Sequence, residues 1–141
     1  MNPKFEGSIL IINNDSDTDI RKLINDTNIE IIDNPEIHTS KKYINGSYHH
    51  AEAINFGLQQ LDSDVAIIID ADFYVIYPDW INNVLEDMKH NNLSVFGAPF
   101  NPKHYTKWRY FPCAHFIAIN LLKIEKNSLD FTPSLESYHK L

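Results

Sequence analysis

Two carboxylates separated by one small residue, Asp70-Ala71-Asp72, close the apolar run Val65-Ala66-Ile67-Ile68-Ile69. Acids this near repel each other unless a cation neutralises them, and hard divalent ions take oxygen ligands of this kind. The chemistry such a pair could do is metal binding at a strand end. A solvated pair that merely caps backbone amides is the plainer alternative, so the surroundings have to decide. A further acid, Asp33, ends the apolar run Ile29-Glu30-Ile31-Ile32 in a similar way. A third group is Tyr48-His49-His50-Ala51-Glu52-Ala53-Ile54-Asn55-Phe56-Gly57. There His50, near a helix start, could meet an anion, and the small residues and Gly57 permit close approach of a ligand or a sheet. An ordinary amphipathic helix carrying two solvated histidines is the alternative reading.

The elements that must position these groups can be read from periodicity. A continuous β-branched run such as 65–69 reads as a strand buried on both faces, as in a helix-covered parallel sheet. In such sheets ligands lie beyond the carboxyl ends of the strands, where Asp70 and Asp72 fall. Residues 8–12 and 29–32 predict two earlier strands, with a short helix from Asp17 or Thr18 to Asn25 between them. Asn34-Pro35 breaks the second strand, and 36–48 reads as a loop with a turn at Asn45-Gly46. Ala51, Ile54, Leu58 and Leu61 recur at helical spacing over 48–61. Pro78 can open a helix to about Lys89 that turns Trp80, Ile81, Val84, Leu85 and Met88 inward. Strands are predicted at 94–98 and 115–122, separated by a long aromatic and basic loop, 100–112. Strands alternating with helices predict an α/β fold with a mostly parallel central sheet flanked by helices.

Composition bounds the class. The chain of 141 residues fits one domain, residues 1–141, with room for a real core. Its formal net charge of −7 and its lack of a basic tail argue against nucleic-acid binding. A lone cysteine, Cys113, excludes an internal disulfide and fits a reducing compartment. The N-terminus carries no apolar signal core and no run approaches membrane-spanning length, so a cytoplasmic location is expected.

The order of these features resembles the family 2-like GT-A glycosyltransferases over about residues 8–120: a strand ending near Asp15, a strand ending in Asp33, a helix with Ala51-x-Ala53-x-Asn55-x-Gly57, and a strand ending Asp70-x-Asp72. The resemblance implies a single-domain, Rossmann-like GT-A sandwich that uses a nucleotide-sugar donor, most naturally a UDP-sugar, and Mn²⁺ or Mg²⁺. It implies that Asp70 and Asp72 hold the metal, Asp72 more directly and Asp70 nearer the ribose. Asp33 would accept a hydrogen bond from a uracil-type base, and Asn13, Asp15 and Asn55 would line the nucleotide side. His50 stands where many relatives carry Lys or Arg facing the donor. In the 100–112 loop, Lys103, Lys107 and Arg109 could cover the diphosphate while Trp108 or Tyr105 stacks on a sugar; a surface loop whose aromatics fill a small satellite core is the alternative. In the tail, Glu136 could be the general base of an inverting reaction and His139 the third metal ligand, or both could lie on a frayed terminus. His115, just inside the last strand, is the competing ligand or else a core histidine.

The implied activity is metal-dependent transfer of a hexosyl group to a sugar, lipid or protein acceptor, with hydrolysis of the donor as a side reaction. A chain this short could complete an acceptor site as a homo-oligomer. A different class is also open: a non-catalytic nucleotide-sugar binding or interaction module that keeps Asp33, Asp70 and Asp72 but turns over nothing. A phosphatase reading of Asp70-x-Asp72 fails because Tyr74 stands where Thr or Val is wanted, and a phospho-receiver reading lacks a suitably placed lysine.

Overall fold

A computed structural model describes residues 7–14, 19–35, 46–99 and 112–133. Five strands and two helices follow in the order β1 (Ile9–Asn13), β2 (Ile29–Asp33), α1 (Gly46–Gln60), β3 (Val65–Ile69), α2 (Trp80–His90), β4 (Val95–Gly97) and β5 (Phe116–Asn120). Single turns of 3₁₀ helix occur at Ile20–Lys22 and Lys126–Ser128. The chain divides into two compact units, one of Met1–Lys4 with Asp62–Lys126, the other of Phe5–Leu61 with Asn127–Leu141.

In the second of these units β1 and β2 pair in parallel, with Ile9 opposite Ile29 and Asn13 opposite Asp33. Parallel neighbours need a crossover. The predicted helix in that crossover is reduced to one 3₁₀ turn, capped by Asp19, whose carboxylate accepts from the Arg21 N–H. Residues Asp17 and Thr18, the predicted caps, lie outside the described residues. α1 packs on β1, and it does so closely: a Cβ at Gly57 would stand 2.9 Å from Ile12 Cγ1. The glycine inside this helical pattern therefore answers to the sheet. α1 begins at Gly46, two residues earlier than periodicity suggests, so Gly46 is its first residue and no part of a turn.

In the other unit the strand order is β3-β5-β4, and both pairings are antiparallel. This corrects the expectation of a mostly parallel sheet: among the described residues one pair is parallel and two are antiparallel. The alternation rule was right about direction, because β3 and β4 both oppose β5 and so run the same way across α2. It was wrong about adjacency, because β5 returns between them. The same insertion corrects the burial expectation. β5, not β3, is the strand buried on both faces, with Phe116 at 7 % and Ile117, Ala118 and Ile119 at 0 % exposure. β3 is only partly buried, and Ile69 at its end is exposed.

α2 starts at Trp80, two residues after the predicted Pro78, with Asp79 before it at φ 61°. Val84 and Met88 form a core with Phe116 and Ala118, against which Val65, Ile67, Trp80, Leu93, Phe96 and Ala98 pack. Trp80, Val84 and Met88 stand four residues apart and so share one stripe. Leu85, expected inward, falls beside that stripe and is exposed. Gly97 is where β4 meets the chain most closely; a Cβ there would lie 2.5 Å from the Phe116 carbonyl oxygen and 2.7 Å from Pro112 Cβ.

Candidate active site

Two sets of functional side chains can be built from their elements, one in each unit. The first lies at the carboxyl ends of β1 and β2. Parallel register places Asn13 beside Asp33, and Asn13 Nδ2 donates to Asp33 Oδ1 at 2.8 Å. The 3₁₀ turn after Asp19 brings Arg21 to the same carboxylate, where Nη2 donates to Oδ2 at 2.8 Å. These two donors hold the Asp33 carboxyl below the usual carboxylate range, the Asn13 bond contributing most and Arg21 next. The Asp33 side chain is still 60 % exposed, so its oxygens remain open to an incoming donor. Asn34 extends the cluster, with its N–H on the Asn13 carbonyl at 2.8 Å and its Nδ2 on Asn14 Oδ1 at 2.7 Å. Strand-end acids were legible in the sequence, but Arg21 was not, because its partner lies beyond an irregular crossover.

α1 carries His50 and Asn55. With the helix starting at Gly46, His50 sits past the first turn, beyond the N–H groups that a helix start offers to an anion, and it is half-buried. Asn55 is engaged within the chain. Its Nδ2 donates to Asp130 Oδ1 at 3.0 Å and to Thr132 Oγ1 at 3.1 Å, and its Oδ1 accepts from the Phe131 N–H at 3.0 Å. The whole amide therefore pins the segment 130–132 to the helix. Thr132 and Asn55 together hold the Asp130 carboxyl below its ordinary range, the Thr132 hydroxyl first. A shallow open depression on this unit is lined by Asn34, Pro35, Glu52, Asn55, Phe56 and Leu129, among others.

The second set lies beyond β3. Ile69 pairs with Phe116, so the next residues outward, Asp70 and His115, stand opposite each other. The Asp70 N–H donates to the His115 carbonyl at 3.1 Å, and the two side chains meet through His115 Nδ1 and Asp70 Oδ2. Asp70 is largely covered, with 14 % of its side chain exposed, whereas His115 is 58 % exposed. The chain turns at once, since the Phe73 N–H returns to the Asp70 carbonyl at 3.0 Å, and this leaves Asp72 exposed in the turn. His115 is thus neither a buried core histidine nor part of β5; it precedes the strand.

Among the described residues no three His, Cys, Asp or Glu side chains gather into a metal-holding group. The donor set nevertheless fits a hard cation of the Mn²⁺ or Mg²⁺ type. Such ions are held through one or two carboxylates, with substrate phosphates and water filling the remaining positions. Asp70 and Asp72 offer those carboxylates at one strand end. Asp15, Lys103, Tyr105, Lys107, Trp108, Arg109, Glu136 and His139 lie outside the described residues. Among the described residues no helix is long and apolar enough to cross a membrane, and Cys113 is buried and unpaired.

No curated protein and no solved structure matches the chain. The family model described as Glycosyl transferase family 2 matches residues 5–139 and so spans both units. On that match the chain belongs to glycosyl transferase family 2, whose members use a nucleotide-sugar donor.

Proposed function

We propose that this protein is a metal-dependent glycosyltransferase that takes a UDP-sugar. The observation that carries the reading is the delivery of Asp70 and Asp72 to the end of β3 in a chain of this family. Bound there, Mn²⁺ or Mg²⁺ would act as a Lewis acid that carries the charge of the departing nucleoside diphosphate. Asp70 and Asp72 would hold the ion, and Asp33 would accept from the N3–H of the uracil base. Its two donors fix the Asp33 carboxylate as an acceptor, which suits a base edge that presents an N–H and disfavours one that presents a bare ring nitrogen. Lys103, Lys107 and Arg109 supply the positive charge that a diphosphate needs in an otherwise acidic chain. Glu136 is the candidate base, and His139 the candidate third ligand.

Calorimetry with UDP and GDP, with Mn²⁺ and then with excess chelator, tests the reading. UDP is expected to bind with Mn²⁺ and to be lost on chelation. Asp72→Asn should abolish the metal-dependent binding and leave the circular dichroism melt unchanged. Parent-like binding of UDP and Mn²⁺ by that variant would sink the metal assignment. Binding without any donor turnover, in the presence or absence of acceptors, would instead favour a non-catalytic binding module.

A further inference from the structure

His115 is 45 residues from Asp70 in sequence, and nothing in its spacing connects the two. The fold connects them several times over. Antiparallel register sets them opposite each other one step beyond Ile69 and Phe116, and a backbone bond joins the Asp70 N–H to the His115 carbonyl. His115 stands in a tight turn that closes through the Phe116 N–H on the Cys113 carbonyl at 3.2 Å. The base of that turn is anchored where the Cys113 N–H meets the Ala98 carbonyl at 2.8 Å, and Cys113 itself is buried. On the facing side, Asp70 begins the turn that closes at Phe73, and the Phe73 ring stacks on Phe116 with centroids 5.5 Å apart and planes 11° from parallel. Each turn thus carries one member of the polar pair and one member of the aromatic pair. An exposed histidine is ordinarily free to choose among rotamers. This one gives Nδ1 to a largely covered carboxylate.

We propose that His115 is a positioning residue that sets the plane of the Asp70 carboxylate for a divalent cation, without itself binding the ion. The inference rests on the proposed role of Asp70. A nitrogen that donates its proton to a carboxylate oxygen has no lone pair for a metal, so Nδ1 acts on Asp70 and only through it on the ion. Carboxylate ligands need such partners, because an unrestrained carboxylate rotates and each rotation carries its lone pairs away from the cation. Loss of an outer partner of this kind typically weakens metal binding by about 10- to 100-fold.

The test uses the full chain with Mn²⁺ and UDP. The Mn²⁺ dissociation constant at saturating UDP is measured for the parent, Asp70→Asn, His115→Ala, His115→Gln and His115→Asn, each with a thermal melt. Asn places its amide nitrogen close to the position of Nδ1, whereas Gln places it nearer that of Nε2. The Ala and Gln variants are expected to lose about 10- to 100-fold in Mn²⁺ affinity, with Asn recovering most of the loss. Pulsed EPR of the parent's Mn²⁺–UDP complex should show no directly coupled imidazole nitrogen. Parent-like Mn²⁺ affinity in His115→Ala, no recovery in His115→Asn, or a nitrogen coupling that disappears in His115→Ala would each overturn the proposal. If Asp70→Asn loses Mn²⁺ while His115→Ala keeps it, this inference alone falls. If the parent binds no Mn²⁺ with UDP, or Asp70→Asn binds it as the parent does, the role of Asp70 falls and this inference with it.

Discussion

At the scale of single residues, Asp33 is held by unlike donors, a neutral amide from the neighbouring strand and a guanidinium from the crossover. Both favour its charged form, the amide bond being the largest single contribution and the guanidinium adding both a bond and its charge. A carboxyl depressed in the folded state stabilises the fold above its unfolded value, and that contribution is lost as pH falls through the folded value. The group is exposed, so the effect is read better from its own titration than from stability. Carbon-13 NMR of Asp33 should show its midpoint moving up in Asn13→Ala and also in Arg21→Ala. An unmoved midpoint in either variant would show that its bond does not hold the carboxyl down. Asp33 and Asp70 were legible as site candidates because each ends an apolar run. Arg21 was not, and His115 was legible as a competing ligand or a core histidine but not as the partner of Asp70, since a hydrogen bond across a crossover or between facing turns leaves no periodic trace in sequence. Asn55 was legible as a special residue within its helix, but its amide serves segment 130–132, a contact set by where the chain returns.

At the scale of elements, the strands and helices expected from sequence lie close to those of the structure, but their neighbours differ. Local periodicity encodes which residues face a core. It does not encode that β5 slips between β3 and β4, because that choice is made by the chain's return after residue 111. The fit of β5 against β4 depends on the bare Cα of Gly97. An added methyl there meets the backbone oxygen of Phe116 and the Cα of Ile117, neither of which can swing aside. Gly97→Ala should therefore cost about 1–3 kcal/mol, the usual range for overpacking a core, and lower the melting temperature by several degrees. Gly46→Ala is the matched control, since among the described residues nothing lies within 4 Å of its added Cβ; it should stay within about 0.5 kcal/mol of the parent, as surface substitutions do. Equal effects of the two would mean that strand β4 yields more readily than its contacts imply. The segment 130–132 provides a second measurement. Asn55→Ala removes both amide bonds to Asp130 and Thr132 and the bond from the Phe131 N–H, at a net cost of about 1–3 kcal/mol. Hydrogen exchange should then speed at the Phe131 amide while the β1–β2 amides keep their protection. Unchanged exchange at Phe131 would refute the pinning role.

At the scale of the whole molecule, the fold class and the family were carried by the order of features, and the family match over residues 5–139 agrees with that order. What order cannot carry is how charge is distributed toward a ligand, and here the composition poses a conflict. The chain's formal net charge is −7, yet Lys103, Lys107 and Arg109 fall within seven residues of one another. A nucleoside diphosphate is repelled by the first and attracted by the second. Screening distinguishes them, because the Debye length falls to about 10 Å at 0.1 M salt and weakens whichever field acts on the ligand. If the basic stretch serves the diphosphate, UDP affinity at saturating Mn²⁺ should fall about threefold as salt rises from about 20 to about 150 mM. Lys107→Ala should flatten that slope as well as weaken binding at low salt, because a phosphate partner contributes to both. Calorimetry across the salt series reads both quantities. An affinity that rises with salt would mean that the acidic surface dominates the field at the ligand, and the diphosphate would then have to depend on the cation beyond β3 for its neutralisation.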